Sequence, residues 1–296
     1  MEGERSAVGV IGLGAMGGPI ARRLVMEGWP VIAHDPLPAA LDAARDSGAE
    51  PVDSPESVAA AAKLIITSLP GEREVREVIF GERGVLRSVS EGATVIDMST
   101  IDPEAARGLE AKLRARHVAF LDAPVSGGPS GAAGGSLIIM IGGDPEAVGR
   151  VTPALQALGS VFHCGGPGAG QVCKACNQLV VVGTIELVAE ALTLASSAGL
   201  DPVLVRSALM GGYAASRVLE LHGARMLDRD FEPGGRAKFN LKDIDAIKGL
   251  AATNGLALPA FEAAAAQINR LVDGGGGDLD NSALITVVED SRKVSK

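Results

Sequence analysis

Cysteine is scarce: Cys164, Cys173 and Cys176 are the only three in 296 residues. That excludes a disulfide framework and fits a reducing compartment. Cys173-x-x-Cys176, with His163 and Cys164 close in sequence, is the one arrangement that could suggest a metal or redox set. Structural zinc sites show two spaced pairs, and both cysteines fall in a helical stretch where small apolar residues are buried. No metal is expected. Positive charge is in deficit, with 27 Lys and Arg against 36 Asp and Glu and a net charge of −9. This disfavours a nucleic-acid or anionic-membrane surface and leaves room for a local basic pocket. Long uninterrupted apolar runs are missing, since Leu179 to Val182 and Leu137 to Ile141 are far shorter than a membrane span. The first residues, Met1-Glu2-Gly3-Glu4-Arg5, carry no signal-peptide pattern, because the apolar run behind them is short and broken by glycines. These absences together predict a cytoplasmic protein with neither nucleic acid nor membrane as partner.

What is present is core material. The chain is 47% hydrophobic and 21% charged, which excludes global disorder, and its length fits about two domains. An apolar run, Ser6 to Ile11, ends in Gly12-Leu13-Gly14-Ala15-Met16-Gly17, and a helical pattern follows to Glu27. A second run, Val31 to Ala33, ends in His34-Asp35-Pro36, which places an acid 35 − 17 = 18 residues past Gly17. A strand, a glycine turn, a helix and an acid at the end of the next strand make the dinucleotide fingerprint. The glycines let backbone N–H groups approach a pyrophosphate at a helix N-terminus. Asp35 would accept from an adenine ribose and repel a 2′-phosphate, which favours NAD over NADP.

Strand-like and helix-like segments then alternate as far as Ser160 to His163, which predicts a parallel, doubly wound sheet. Ligands in such sheets sit at the carboxyl ends of strands, so Leu69-Pro70 and Ser99-Thr100 are placed to line a cofactor cleft. Between Asp122 and Ser136, a glycine-rich stretch containing Ser126-Gly127-Gly128 reads as a connector able to hold a carboxylate. From Gly165-Gly166-Pro167-Gly168 onward the character of the chain changes. One long helix, about 167–198, is followed only by helical patterns: Pro202 to Met210, Ser216 to Met226, Leu241 to Thr253, Pro259 to Val272 and Ser282 to Val288. The expected architecture is an α/β Rossmann-like domain over 1–166, joined by that helix to an all-α domain over 167–296. Inside the helix, Lys174, Asn177 and Gln178 fall at i, i+3 and i+4, so three polar groups share one face.

Four separated stretches resemble one family, the β-hydroxyacid dehydrogenases. Gly12 to Pro19 resembles its cofactor motif, and Asp122-Ala123-Pro124-Val125-Ser126-Gly127-Gly128 its substrate motif. Gly168-x-Gly170-x-x-x-Lys174-x-x-Asn177 resembles its catalytic motif, and Lys242-Asp243 its cofactor-side lysine motif. The resemblance spans nearly the whole chain. It implies hydride transfer between a nicotinamide and the 3-carbon of a small 3-hydroxy acid, with Lys174 as general acid/base. A free lysine is protonated at pH 7, so that role requires burial or nearby positive charge. It also implies that Ser126, Gly127 and Gly128 hold the substrate carboxylate while Asn177 or Gln178 orients it or the reacting oxygen. Thr100 and Lys242 would approach the cofactor, and a homo-oligomer, dimer or tetramer, is expected. Many members read Asn-Asn where this chain has Asn177-Gln178. In that respect it is similar to the tartronate semialdehyde reductase branch, which makes tartronate semialdehyde and glycerate the expected pair. Dehydrogenases of 3-hydroxyisobutyrate, L-serine or threonate are the alternatives. Imine reduction is more remote, because imine reductases usually replace the lysine, and a purely binding role is too, because the lysine and glycine motifs are intact. Gly235 stands where relatives often have Phe, and Asn281 where many have His.

Overall fold

The computed structural model describes residues 5–291. The chain divides into two compact units that part between Lys174 and Ala175, inside the long helix rather than at its start. The first unit alternates β1 (Val8–Ile11), α1 (Gly17–Met26), β2 (Val31–His34), α2 (Pro38–Asp46), β3 (Glu50–Pro51), α3 (Pro55–Ala61), β4 (Leu64–Thr67) and α4 (Glu72–Phe80). It continues with β5 (Thr94–Asp97), α5 (Pro103–Arg114), β6 (Ala119–Asp122), β7 (Val125–Ser126), α6 (Gly128–Gly134), β8 (Leu137–Gly142), α7 (Pro145–Gln156) and β9 (Gly159–Gly165).

Strands β3-β2-β1-β4-β5-β6 pair in parallel in that order, so the winding reverses between β1 and β4. That reversal is the switch point at which nucleotides bind. Side chains alternate across the strands. Val10, Ile66 and Ile96 enter a core under α1 and α7, while Ile11, Ile65 and Val95 enter the opposite core under α3, α4 and α5. The sheet is not parallel throughout. β8 runs antiparallel to β6 and β7, and β9 then pairs in parallel with β8. The stretch from Gly128 to Gly134, expected as a connector, is a helix.

Caps follow the sequence. Ser54, Asp102 and Asp144 each accept a first-turn N–H, of Ser57, of Glu104 and Ala105, and of Ala147 respectively.

The long helix is α8 (Ala169–Ser197), followed by α9 (Pro202–Met210), α10 (Arg217–Asp228), α11 (Asn240–Thr253), α12 (Pro259–Asp273) and α13 (Leu284–Asp290). Among the described residues no strand follows β9; an isolated bridge pairs Arg236 with Asp280. The core of the second unit joins Val182, Ile185, Ala189 and Leu192 of α8 to Ile244, Phe261, Ala265 and Ile268. By length and composition α8 is apolar enough to cross a membrane, with a mean hydropathy of 1.8 over its best window. Gly183, Thr184 and Glu186 interrupt its apolar stretch, so no long unbroken run marks it in the sequence. Within α8, Cys173 is half-buried and Cys176 exposed, not buried as expected.

Candidate active site

The glycine turn after β1 has two kinds of glycine. A Cβ on Gly12 (φ +88°) would come within 2.4 Å of the Ser68 carbonyl oxygen, and one on Gly17 within 1.8 Å of the Gly12 oxygen. Those two are required by the turn itself. Gly14 is exposed, and nothing lies within 4 Å of its Cβ position, so its bareness leaves open space against the backbone. Leu13 is buried, Ala15 exposed and Met16 half-buried. α1 starts with no side-chain cap and no acid in its first turn, so the positive end of its dipole meets no opposing charge, while Gly18 N already donates to Gly14 O at 3.1 Å and Pro19 has no N–H. These features fit a dinucleotide pyrophosphate. Asp35, 7% exposed, accepts from Leu13 N at 2.7 Å and Leu37 N at 2.9 Å. Its carboxylate therefore fastens the glycine turn, and with about four lone-pair sites it retains capacity for ribose hydroxyls.

The loops after β4 and β5 are tied together below the surface. Thr67 Oγ1 and Ser99 N both donate to Asp97 Oδ1, at 2.9 and 3.1 Å, and Leu69 N donates to Ser99 Oγ at 2.9 Å. Gln171 at the start of α8 completes the set. Its Nε2 donates to Ser99 O at 2.9 Å, and its Oε1 accepts from Ile101 N at 3.2 Å. Half-buried Thr100 is thus held between two residues clamped by one amide. Leu69 lies against Gly12, and Pro70 beyond it is exposed. Burial pushes Asp97 up to about 6 against the bonds from Ser99 and Thr67. Asp97 and Gln171 were not singled out in the sequence.

Asp122 closes β6 and anchors α8, accepting from Gly168 N at 2.7 Å and Gln171 N at 2.9 Å. Burial raises its pKa even so. A Cβ on Gly170 would strike the Met140 and Asp122 carbonyl oxygens at 2.4 and 2.5 Å. The Gly168-x-Gly170 pattern therefore serves close packing of the helix start on the sheet. One turn later Lys174, 8% exposed, donates from Nζ to Val125 O at 2.9 Å. The ammonium thus lies beside the residue preceding Ser126, where Gly127 (φ +127°) and Gly128 (φ +64°) turn the chain into α6. In this unit the glycine turn, Asp35, Leu69, Pro70 and Thr100 stand at strand ends, and Lys174 meets the Ser126 strand. Burial and the adjacent Cys173 thiol push Cys164 up to about 11.

The second unit carries the other expected residues. Asn177 Nδ2 donates to Gln178 Oε1 at 2.9 Å, and Gln178 Nε2 donates to Asp243 Oδ2 at 2.6 Å. Lys242 is exposed on α11, and it is its neighbour Asp243 that Gln178 reaches. Gly235 and Asn281, the two departures from the family pattern, face each other. Asn281 N donates to Gly235 O at 3.2 Å, and a Cβ on Gly235 would lie 3.5 Å from Asn281 Nδ2. Buried Asp280 fixes this corner by accepting from Gly234 N, Gly235 N and Ser282.

Residues 7–166 match the NAD binding domain of 6-phosphogluconate dehydrogenase, and 168–288 match the NAD-binding domain of NADP-dependent 3-hydroxyisobutyrate dehydrogenase. The chain is 42% identical to 2-hydroxy-3-oxopropionate reductase of Escherichia coli (strain K12) over 288 residues, 95% of this chain and 97% of that protein. The structure of a Mycobacterium tuberculosis 3-hydroxyisobutyrate dehydrogenase with L-serine is 31% identical. It superposes with a TM-score of 0.88, covering 96% of this chain and 99% of that one. An imine reductase from Pseudomonas sp., 19% identical over 96% of this chain and 99% of that one with a TM-score of 0.63, shares the fold alone. These matches place the chain in the 3-hydroxyisobutyrate dehydrogenase-like family of β-hydroxyacid dehydrogenases, NAD(P)-dependent oxidoreductases.

Proposed function

We propose that this enzyme interconverts tartronate semialdehyde and glycerate, with Lys174 as general acid/base and NAD preferred to NADP. The observation that carries the reading is the buried Lys174 ammonium bonded at Val125 O, next to Ser126-Gly127-Gly128. A carboxylate held at Ser126 and the following backbone amides would bring the 3-carbon oxygen to Lys174. The bound nicotinamide would supply or accept the hydride. Lys174 would return a proton to the carbonyl oxygen in reduction and take the hydroxyl proton in oxidation. Support for the substrate is Asn177-Gln178 together with the 42% identity to the E. coli reductase. L-serine, present with the M. tuberculosis enzyme, is the second substrate to test. Support for NAD is Asp35, whose charge at the end of β2 disfavours a 2′-phosphate. Thr100 and Lys242 are assigned to the cofactor side. Val180, Leu187 and Leu194, exposed at seven-residue spacing along α8, favour a homo-oligomer.

Lys174→Ala is expected to lose about 10²- to 10⁴-fold in turnover while keeping NAD affinity, since it removes proton transfer and leaves the glycine turn. Steady-state kinetics and fluorescence titration of NAD check this. Turnover within a few-fold of wild type would remove Lys174 from the chemistry.

A further inference from the structure

Within the second unit, three side chains form a directed hydrogen-bonded chain whose polarity is fixed at one end. The Asp243 carboxylate only accepts, so the Gln178 group pointing at it, 2.6 Å away, must be the amide nitrogen. That leaves Gln178 Oε1 on the other side, where it accepts from Asn177 Nδ2 at 2.9 Å. Asn177 is then fixed in turn, with its nitrogen toward Gln178 and its Oδ1 turned away. Asp243 is 8% exposed, and its Oδ1 has no hydrogen-bond partner among the described residues. A half-satisfied buried carboxylate is costly and calls for a role beyond packing. Asn177 is half-exposed and sits three residues beyond Lys174 on α8, so the two side chains emerge from adjacent points of one helical face.

We propose that Asp243 is a positioning residue for substrate selection. Acting through Gln178, it holds the Asn177 amide in one orientation, presenting Oδ1 and one remaining N–H to the substituent on carbon 2 of the substrate. This rests on the reading of the enzyme as a 3-hydroxy acid dehydrogenase using Lys174. The group that fits such an amide is one that both donates and accepts, a hydroxyl. A methyl group at the same carbon does neither and leaves both amide groups desolvated and unpaired. The selected class is therefore 2-hydroxylated 3-hydroxy acids over 2-methylated ones. Gln178 is essential to this arrangement, because an asparagine there is one methylene shorter and cannot span from Asn177 to Asp243.

The test is a double-mutant cycle read in kcat/KM for glycerate and for 3-hydroxyisobutyrate, with NAD affinity and thermal midpoint measured on each protein. Asp243→Asn, which can offer Gln178 either a donor or an acceptor, is expected to lower kcat/KM for glycerate about tenfold. The loss is expected mainly in KM, with little change for 3-hydroxyisobutyrate. In a Gln178→Asn background the same change is expected to cost less than about twofold, because the connection is already broken. Equal losses in both backgrounds, equal losses for both substrates, or no loss at all would overturn the proposal. Should Asp243→Asn fail to fold, the cycle is run with Gln178→Met against Asn177→Ala. Additive losses there overturn the proposal equally. Wild-type enzyme inactive on every 3-hydroxy acid would instead sink the underlying reading, which separates the two failures.

Discussion

Gln171 ties two backbone groups about seventy positions away with a single side chain, 2% exposed, and so fixes the loop that carries Thr100. Removing the amide would leave the Ser99 carbonyl and the Ile101 N–H unpaired in a buried setting, a cost of about 1–3 kcal/mol for each. Gln171→Ala is therefore expected to lower the thermal midpoint and to weaken NAD binding about tenfold. Calorimetric melts and NAD titration check it, and unchanged NAD affinity would make the clamp purely structural. Lys174 stood out in the sequence because a charge inside an apolar helix demands an explanation. Gln171 did not, because its partners come from another loop and one polar residue near a glycine-rich turn carries no local signal. The facing of Gly235 and Asn281 was hidden for the same reason: 46 positions separate residues that meet only in the fold.

Among the elements, α8 carries an acid with no evident use. Glu186 is 5% exposed in the second core, and neither carboxyl oxygen has a hydrogen-bond partner among the described residues. Burial, reinforced by Glu190 and opposed by Arg270, lifts its pKa from 4.5 to about 7. The folded chain thus holds a proton that the unfolded chain releases near its ordinary value. Stability contributed by neutral Glu186 is fully present below about pH 4.5 and is lost as pH rises to about 7, on the order of 3 kcal/mol in all. Asp97, raised to about 6, acts in the same direction. Asp280 acts oppositely. Against the upward push of burial, His222 Nδ1 at 3.4 Å and hydrogen bonds from Ser282 and Gly235 N hold it well below the carboxylate range, so its contribution is lost only in acid. Melts of wild type and Glu186→Gln at pH 5.5 and pH 8 are expected to show a smaller fall in midpoint for the variant. Identical falls would mean Glu186 does not titrate in that window. The longer elements were legible, since buried parallel strands read as apolar runs and capped helices announce their starts. β3 and β7, two residues each, are too short to leave a pattern. α6 is glycine-rich, which masks a helix as a loop, and strand direction at β8 has no sequence signature.

At the scale of the whole molecule, the sequence order of nucleotide turn, serine-glycine stretch, lysine helix and Lys242-Asp243 is what made the family legible from end to end. Each stretch alone permits other readings; the imine reductases share the fold alone, and the proposed role of Lys174 is what would set hydroxy-acid chemistry apart. Substrate choice is less legible, because the contacts on which the proposed selection rests, such as Gln178 with Asp243, are long-range. The decisive measurement is a steady-state screen of the purified enzyme against glycerate, 3-hydroxyisobutyrate, L-serine and threonate, and against tartronate semialdehyde in reduction, each with the NAD and the NADP couple. The expected result is the highest kcat/KM on the glycerate–tartronate semialdehyde pair with the NAD couple. A clear preference for 3-hydroxyisobutyrate, or for NADP, would contradict it.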